Sequence, residues 1–150
     1  MRFKNRYLLA EFIFAPDSDA PSFSESDIVR LVRDALSVNF GDAGWAEAGS
    51  SLNVKYLSPT THIMILRTPR SACQLVWTAL TLTRQLKGVD CIIRVMHVGG
   101  TIRKSQQAAI KYDRDLILRR ATQALQSSAN DEETRTLLLQ SEQLINAIAE

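Results

Sequence analysis

The chain is poor in the residues on which most protein chemistry rests. Its 150 residues include only two cysteines and two histidines. Cys73 and Cys91 lie far apart, form no Cys-x-x-Cys pair and have only His62 and His97 as possible co-ligands. That spacing does not make a zinc site, and two buried, reduced thiols are expected instead. Gly-x-Ser-x-Gly, a Walker loop and His-Glu-x-x-His are all missing. The carboxylates are spread along helices and loops, and neither histidine has a sequence-local partner that would make it a general base. A self-contained enzyme is disfavoured. No apolar run approaches the roughly 20 residues of a membrane span. The first apolar stretch is short, contains Glu11 and lacks the small-residue pattern of a signal-peptide cleavage site. A soluble, intracellular protein with no membrane partner is expected.

An apolar content of 45% with 23% charged residues suits one globular domain with a single core. Residues 7–14 read as a mostly buried strand, and residues 15–23, with Pro16 and Pro21, as loop. Ser24 and Asp27 resemble a capping box ahead of Ile28, Leu31, Val32, Ala35, Leu36 and Phe40 at helical spacing, with a stop at Gly41 or Gly44. Residues 41–51 read as a loop anchored by Trp45. Two strands follow, 52–57 and 62–68, joined by Ser58-Pro59-Thr60-Thr61. A second helix carries Ala72, Leu75, Val76, Ala79, Leu82 and Leu86 on one face, with Trp77 assigned to the core rather than to an interface. A fourth strand at 91–98 stops at Gly99-Gly100. Helices at about 101–128 and 130–149 complete the chain, the last with Asn130 and Glu133 at its start.

The order β-α-β-β-α-β is the split βαβ arrangement. The fold class expected is α/β (α+β): an RRM-like or ferredoxin-like four-stranded antiparallel sheet, with two helices on one face plus the C-terminal helices. Residues 1–128 would form the body. Residues 129–150 would form an acidic C-terminal helix, either part of that domain or a docking element. The second face of the sheet would be covered by the C-terminal helices, a partner or RNA. The strand at 62–67 has no aromatic residue, so it cannot stack bases as an RRM does. Ile63 and Ile65, or Met64 and Leu66, look built for protein contact.

Charge is distributed unevenly. The chain has 18 bases and 16 acids, but residues 131–150 hold five acids and one base, leaving 17 bases and 11 acids before them. Arg2, Lys4 and Arg6 alternate, so an extended backbone lines them on one face. Such a row favours a polyanion, although a solvated basic terminus would show the same pattern. A second cluster, Gly99-Gly100-Thr101-Ile102-Arg103-Lys104, joins a close-approach turn to a helix start, where free N–H groups favour phosphate. Arg103 and Lys104 oppose the helix dipole there, a conflict that a bound phosphate would resolve. A tight turn with solvated cations is the plainer reading. In the split βαβ topology the first and fourth strands are antiparallel neighbours, which brings Arg6 beside His97 and the Gly-Gly turn. Arg94, Lys111 and Arg114 could extend the patch.

Four segments carry a resemblance: Arg2-Phe3-Lys4-Asn5-Arg6-Tyr7-Leu8-Leu9, Val54-Lys55-Tyr56-Leu57, Gln74-Leu75-Val76-Trp77 and His97-Val98-Gly99-Gly100-Thr101-Ile102-Arg103. In order and spacing they resemble the Pop-five type subunit of ribonuclease P and ribonuclease MRP, over residues 2 to about 120. The resemblance implies an RRM-like fold without stacking aromatics and an accessory, non-catalytic role. The holoenzyme removes the 5′ leader of precursor tRNA, its MRP form processes precursor rRNA, and the RNA component with Mg²⁺ performs the chemistry. No cofactor is then expected on this chain. The partners implied are that catalytic RNA, a TIM-barrel-like protein subunit, other holoenzyme proteins and, indirectly, precursor tRNA. The compartment implied is the nucleus and nucleolus. The RNA-contact candidates are Arg2, Lys4, Asn5, Arg6, Arg94, His97, Gly99, Gly100, Thr101, Arg103 and Lys104, and exposed apolar residues of the later helices would meet the protein partner. A protein-interaction module of split βαβ fold without intrinsic RNA binding is the alternative. A metal-independent hydrolase would require the purified chain to cleave RNA unaided.

Overall fold

A computed structural model describes residues 4–125 and 131–148. Its elements are β1 (Asn5–Phe14), α1 (Glu25–Gly49), β2 (Asn53–Leu57), β3 (Ile63–Pro69), α2 (Cys73–Leu82), β4 (Gln85–Leu86), β5 (Val89–Gly99), α3 (Ile102–Leu125) and α4 (Asp131–Asn146). The sheet order is β2-β3-β1-β5-β4, with every neighbouring pair antiparallel. The expected split βαβ order is present, but the sheet has five strands rather than four. The extra strand arises because α2 ends at Leu82, short of the Leu86 expected on its face. Lys87 and Gly88 both take positive φ, +50° and +78°, and that tight turn folds Gln85–Leu86 back onto Val89–Asp90.

Residues alternate across β1 as a strand requires. Leu8, Ala10 and Phe12 enter the core with Ile28, Val32 and Leu36 of α1 and Val76, Ala79 and Leu80 of α2. Met64 and Leu66 of β3 join them, while Leu9, Ile63 and Ile65 on the opposite face are also buried. All four residues of β3 that looked suited to a partner are thus enclosed within the chain. A bulge opposite Leu9 and Ala10 shifts the register of β5: Leu9 faces His97, Ala10 faces Val95, and Met96 is the extra residue.

The start of α1 follows its sequence signal. Ser24 N–H donates to Asp27 Oδ2 at 2.8 Å, and Lys87 Nζ lies 3.0 Å from the same oxygen. Those bonds hold the Asp27 carboxyl down to about 2, the Ser24 backbone N–H contributing most. Gly41 does interrupt the helix, at φ +71° and ψ −172°, but a second helical segment runs on to Gly49 where a loop was expected. Trp45 packs against the core, from a helix rather than a loop. Cys73 and Cys91 are buried and free, and burial pushes both thiols up.

The chain divides into two compact units, Met1–Ser105 and Gln106–Glu150. In the second, Gln106 Nε2 donates to Ile145 O and Ile148 O, each at 3.1 Å, and Ser141 Oγ bonds Asp113 Oδ2. These bonds join α3 to α4 in antiparallel fashion, with Ala109, Ile117 and Ile145 buried. Leu118, Leu137, Leu139 and Leu144 are exposed. Asn130, expected to start the last helix, lies outside the described residues. Among the described residues no helix is long and apolar enough to cross a membrane.

Candidate nucleic-acid interface

One end of the sheet gathers cations from three segments of the sequence. β1 begins there with Lys4, Asn5 and Arg6, and β3 ends there, Asn5 standing opposite Pro69 and Arg6 opposite Thr68. Arg70 N–H donates to Lys4 O at 2.8 Å, which carries the ladder one step further. On the other side of β1, Tyr7 pairs with Gly99, so the Gly-Gly turn and the start of α3 arrive at the same end. The neighbourhood expected from topology is therefore present.

Its geometry is specific. A Cβ built on Gly100 would lie 3.6 Å from Arg6 Nη1, while that guanidinium donates to Asn5 O at 3.0 Å. A Cβ on Gly99 would lie 3.0 Å from Ser105 Oγ and 3.3 Å from both His97 Nε2 and Thr101 O. Neither glycine has a positive φ, so what Gly99 supplies is room. Ile102 and Ser105 are buried, and Ser105 Oγ sits 3.5 Å from Tyr7 O. These inward anchors orient the first turn of α3 so that Arg103 and Lys104 are exposed, with Thr101 exposed just before it. That turn contains no acidic residue to offset them.

Lys4 and Arg70 are exposed, and Arg6 and Arg67 are half-buried. With its amide oxygen turned to Arg67, Asn5 accepts from Nε at 3.3 Å and Nη2 at 3.1 Å, which fixes that guanidinium at the sheet end. Among the described residues, no carboxylate forms an ion pair with Lys4, Arg6, Arg67, Arg70, Arg103 or Lys104. Cations held together without counter-charge suit a ligand that carries several negative charges at fixed spacing.

Not every candidate reaches this patch. Arg2 lies outside the described residues. Arg94 pairs across the strands with Glu11 and forms an ion pair with it, five residues along β5 from Gly99. His97 does reach the turn, but its Nε2 is buried and has no hydrogen-bond partner among the described residues. Lys111 and Arg114 belong to the second unit. Arg67 and Arg70 are absent from the sequence-derived set. The topology that paired strands one and four also pairs strands one and three, so the end of β3 could have been read the same way. No three His, Cys, Asp or Glu side chains gather to hold a metal ion among the described residues.

Trp77 departs from its core assignment: it is 43% exposed on α2. Its neighbour Val76 supplies the buried contact, and the tryptophan faces outward from the helix flank.

Comparison with known proteins follows the same lines. Residues 6–110 match the model of the Rpp14/Pop5 family. Ribonuclease P/MRP protein subunit POP5 of Schizosaccharomyces pombe is 42% identical over 127 residues, covering 78% of this chain and 91% of that protein. The Homo sapiens subunit of the same name is 34% identical over 155 residues, covering 95% of this chain and 93% of that protein. A chain in the cryo-EM structure of yeast ribonuclease MRP superimposes with a TM-score of 0.51 at 14% identity, covering 69% of this chain and 79% of that one. That last match is a likeness of fold.

Proposed function

The chain belongs to the Rpp14/Pop5 family, and on that footing we propose that it is a non-catalytic protein subunit of ribonuclease P, ribonuclease MRP or both. Its task is to bind and brace the RNA component for removal of precursor-tRNA 5′ leaders and for precursor-rRNA processing. The observation that carries the RNA-facing part of this reading is the Arg6 guanidinium beside Gly100. It joins the cations of β1 to those at the start of α3 in one unpaired group.

The mode of contact follows from the side chains present. Arg and Lys read phosphate, and phosphate contacts position a protein without specifying sequence. The sheet offers no stacking aromatics on β3, so base readout is minor. Arg6 and Arg67, each oriented by a neighbouring oxygen, hold planar donor arrays ready for phosphate oxygens. Helix α3 adds the positive end of its dipole beside Thr101. Mg²⁺ and bond cleavage are assigned to the RNA. The remaining partners are a TIM-barrel-like subunit and other proteins of the assembly, in the nucleus and nucleolus.

The test is a 5′-cleavage assay on precursor tRNA, using tagged chain purified gently from cells, with and without nuclease digestion. Activity that disappears with the RNA is expected. Activity that survives digestion would make polypeptides the catalyst. An assembly without RNA or activity would favour the interaction module.

A further inference from the structure

Arg6 and Arg67 are diagonal neighbours across β1 and β3, Arg67 standing opposite Tyr7, yet they leave opposite faces of the sheet. Leu8 and Ala10 of β1 enter the core, and Arg6 continues their row toward the start of the strand. It therefore lies on the face that carries α1 and α2. Its charge is felt there: burial pushes the Cys73 thiol at the start of α2 up, and Arg6 opposes that rise. Arg67 alternates the other way. Met64 and Leu66 of β3 join the core, whereas Ile63 and Ile65 lie on the far face, and Arg67 continues that second row.

The first turn of α3 shares the face of Arg67. Gly99 stands opposite Tyr7, and a Cβ on Gly99 would meet Ser105 Oγ at 3.0 Å. The cation patch is thus a ridge with two flanks, Arg6 on one and Arg67 with the turn of Arg103 and Lys104 on the other. Asn5 keeps the two guanidiniums apart. Its backbone oxygen accepts from Arg6, and its amide oxygen, turned as described above, accepts from Arg67. The ridge has no stacking platform. In the segments that form it, residues 4–8, 66–71 and 98–105, Tyr7 is the only aromatic, and it is buried.

We propose that this ridge engages a base-paired segment of RNA, its two flanks contacting the phosphates of the two strands. The inference rests on the RNA-binding reading above and adds the class of RNA. Unpaired RNA is held largely by stacking its bases on aromatic rings, whereas base-paired RNA is held by shape and by phosphate contacts across a groove. A single strand that met both flanks would have to turn around the end of the sheet, with no ring to receive its bases. Two paired backbones present phosphates on both sides of a groove without that turn. Each guanidinium, fixed to its own oxygen of Asn5, then serves one strand.

A photo-cross-linking residue replaces Arg6 in one tagged variant and Arg67 in another, and each assembly is purified from cells and irradiated. The two sets of adducts should fall on opposite strands of one base-paired segment of the RNA component. Filter binding with the full chain reads the class of RNA directly. A hairpin RNA should bind at least about tenfold more tightly than unpaired RNA of the same length. Arg6→Ala and Arg67→Ala should each lower the salt slope on the hairpin by about 0.7 to 0.9, and the double variant by about twice as much. Both adducts on one strand, or unpaired RNA bound as tightly as the hairpin, would overturn the proposal and leave the RNA-binding reading standing. No RNA adduct at either position, with slopes unchanged in both alanine variants, would overturn the two together.

Discussion

Arg6 Nη1 stands 3.6 Å from the point where a Cβ on Gly100 would lie, although 94 positions separate the two residues. The pairing of Tyr7 with Gly99 enforces this approach, so the shape of the sheet itself creates the cation patch. Side chain and turn test each other. A Cβ at Gly100 meets only ordinary contact, and Gly100→Asp can therefore fold while setting a carboxylate against Arg6. Unfolding free energy should change by no more than about 0.5 kcal/mol. RNA affinity should fall at least as far as in Arg6→Ala, read by filter binding. Wild-type affinity in both variants would remove Arg6 from the interface.

Salt dependence separates phosphate contact from damage to the fold. Arg6→Ala, Arg70→Ala and Arg103→Ala should each lower the slope of log affinity against log salt by about 0.7 to 0.9, one phosphate contact apiece. Arg94→Ala is the internal control, because its guanidinium already serves Glu11. Its slope should match wild type. A reduced slope in Arg94→Ala alone would move the interface along β5.

Gly99 makes a stability prediction where Gly100 makes a binding one. A methyl at Gly99 would crowd Ser105 Oγ at 3.0 Å and the backbone oxygen of Thr101 at 3.3 Å. Gly99→Ala should cost about 1–3 kcal/mol through overpacking, measured by urea unfolding. The double change Gly99→Ala with Ser105→Ala should recover part of that loss, since one of the crowding atoms is then gone.

Asp27 ties stability to acid. Its carboxyl is ordinary in the unfolded chain, at 3.8, and about 2 in the folded one, because the Ser24 N–H and Lys87 favour the ionised form. A lowered folded value stabilises above the unfolded value, and the contribution disappears as pH falls from about 4 toward 2. Wild type should lose stability relative to Asp27→Asn across that window, and their urea midpoints should converge at its lower end. Midpoints that stay parallel from neutral pH down to 2 would show that Asp27 is not held by these bonds.

What was legible in the sequence was whatever local periodicity and topology determine. The period-2 run of β1, the helical spacing of Ile28, Val32 and Leu36, and the split βαβ order each follow from side-chain alternation against one core. From that order alone Arg6 could be brought to Gly99-Gly100. Three features were hidden for physical reasons. β4 is two residues long and depends on positive φ at Lys87, a residue type that does not announce such a turn. Arg94 shows as one more cation, and only the register reveals Glu11 opposite it. Trp77 sits at helical spacing with buried neighbours, so its exposure depends on where α2 stands over the sheet edge.

Gly41 shows how a correct local signal can mislead about its neighbours. Its φ of +71° with ψ near −172° falls in a region open essentially only to glycine, so the stop was real. Yet Gly44 and Ala48 are buried beyond it, and Trp45 packs on the core, which draws the chain back into helix. Nothing lies within 4 Å of a Cβ built at Gly41, so a substitution there meets backbone strain and no clash. Gly41→Ala should therefore destabilise by about 1–3 kcal/mol. Gly41→Asn should cost about as much, since asparagine tolerates positive φ in the left-handed helical region and not at ψ near 180°. Equal urea midpoints for wild type and Gly41→Ala would mean that α1 runs through residue 41 without a break.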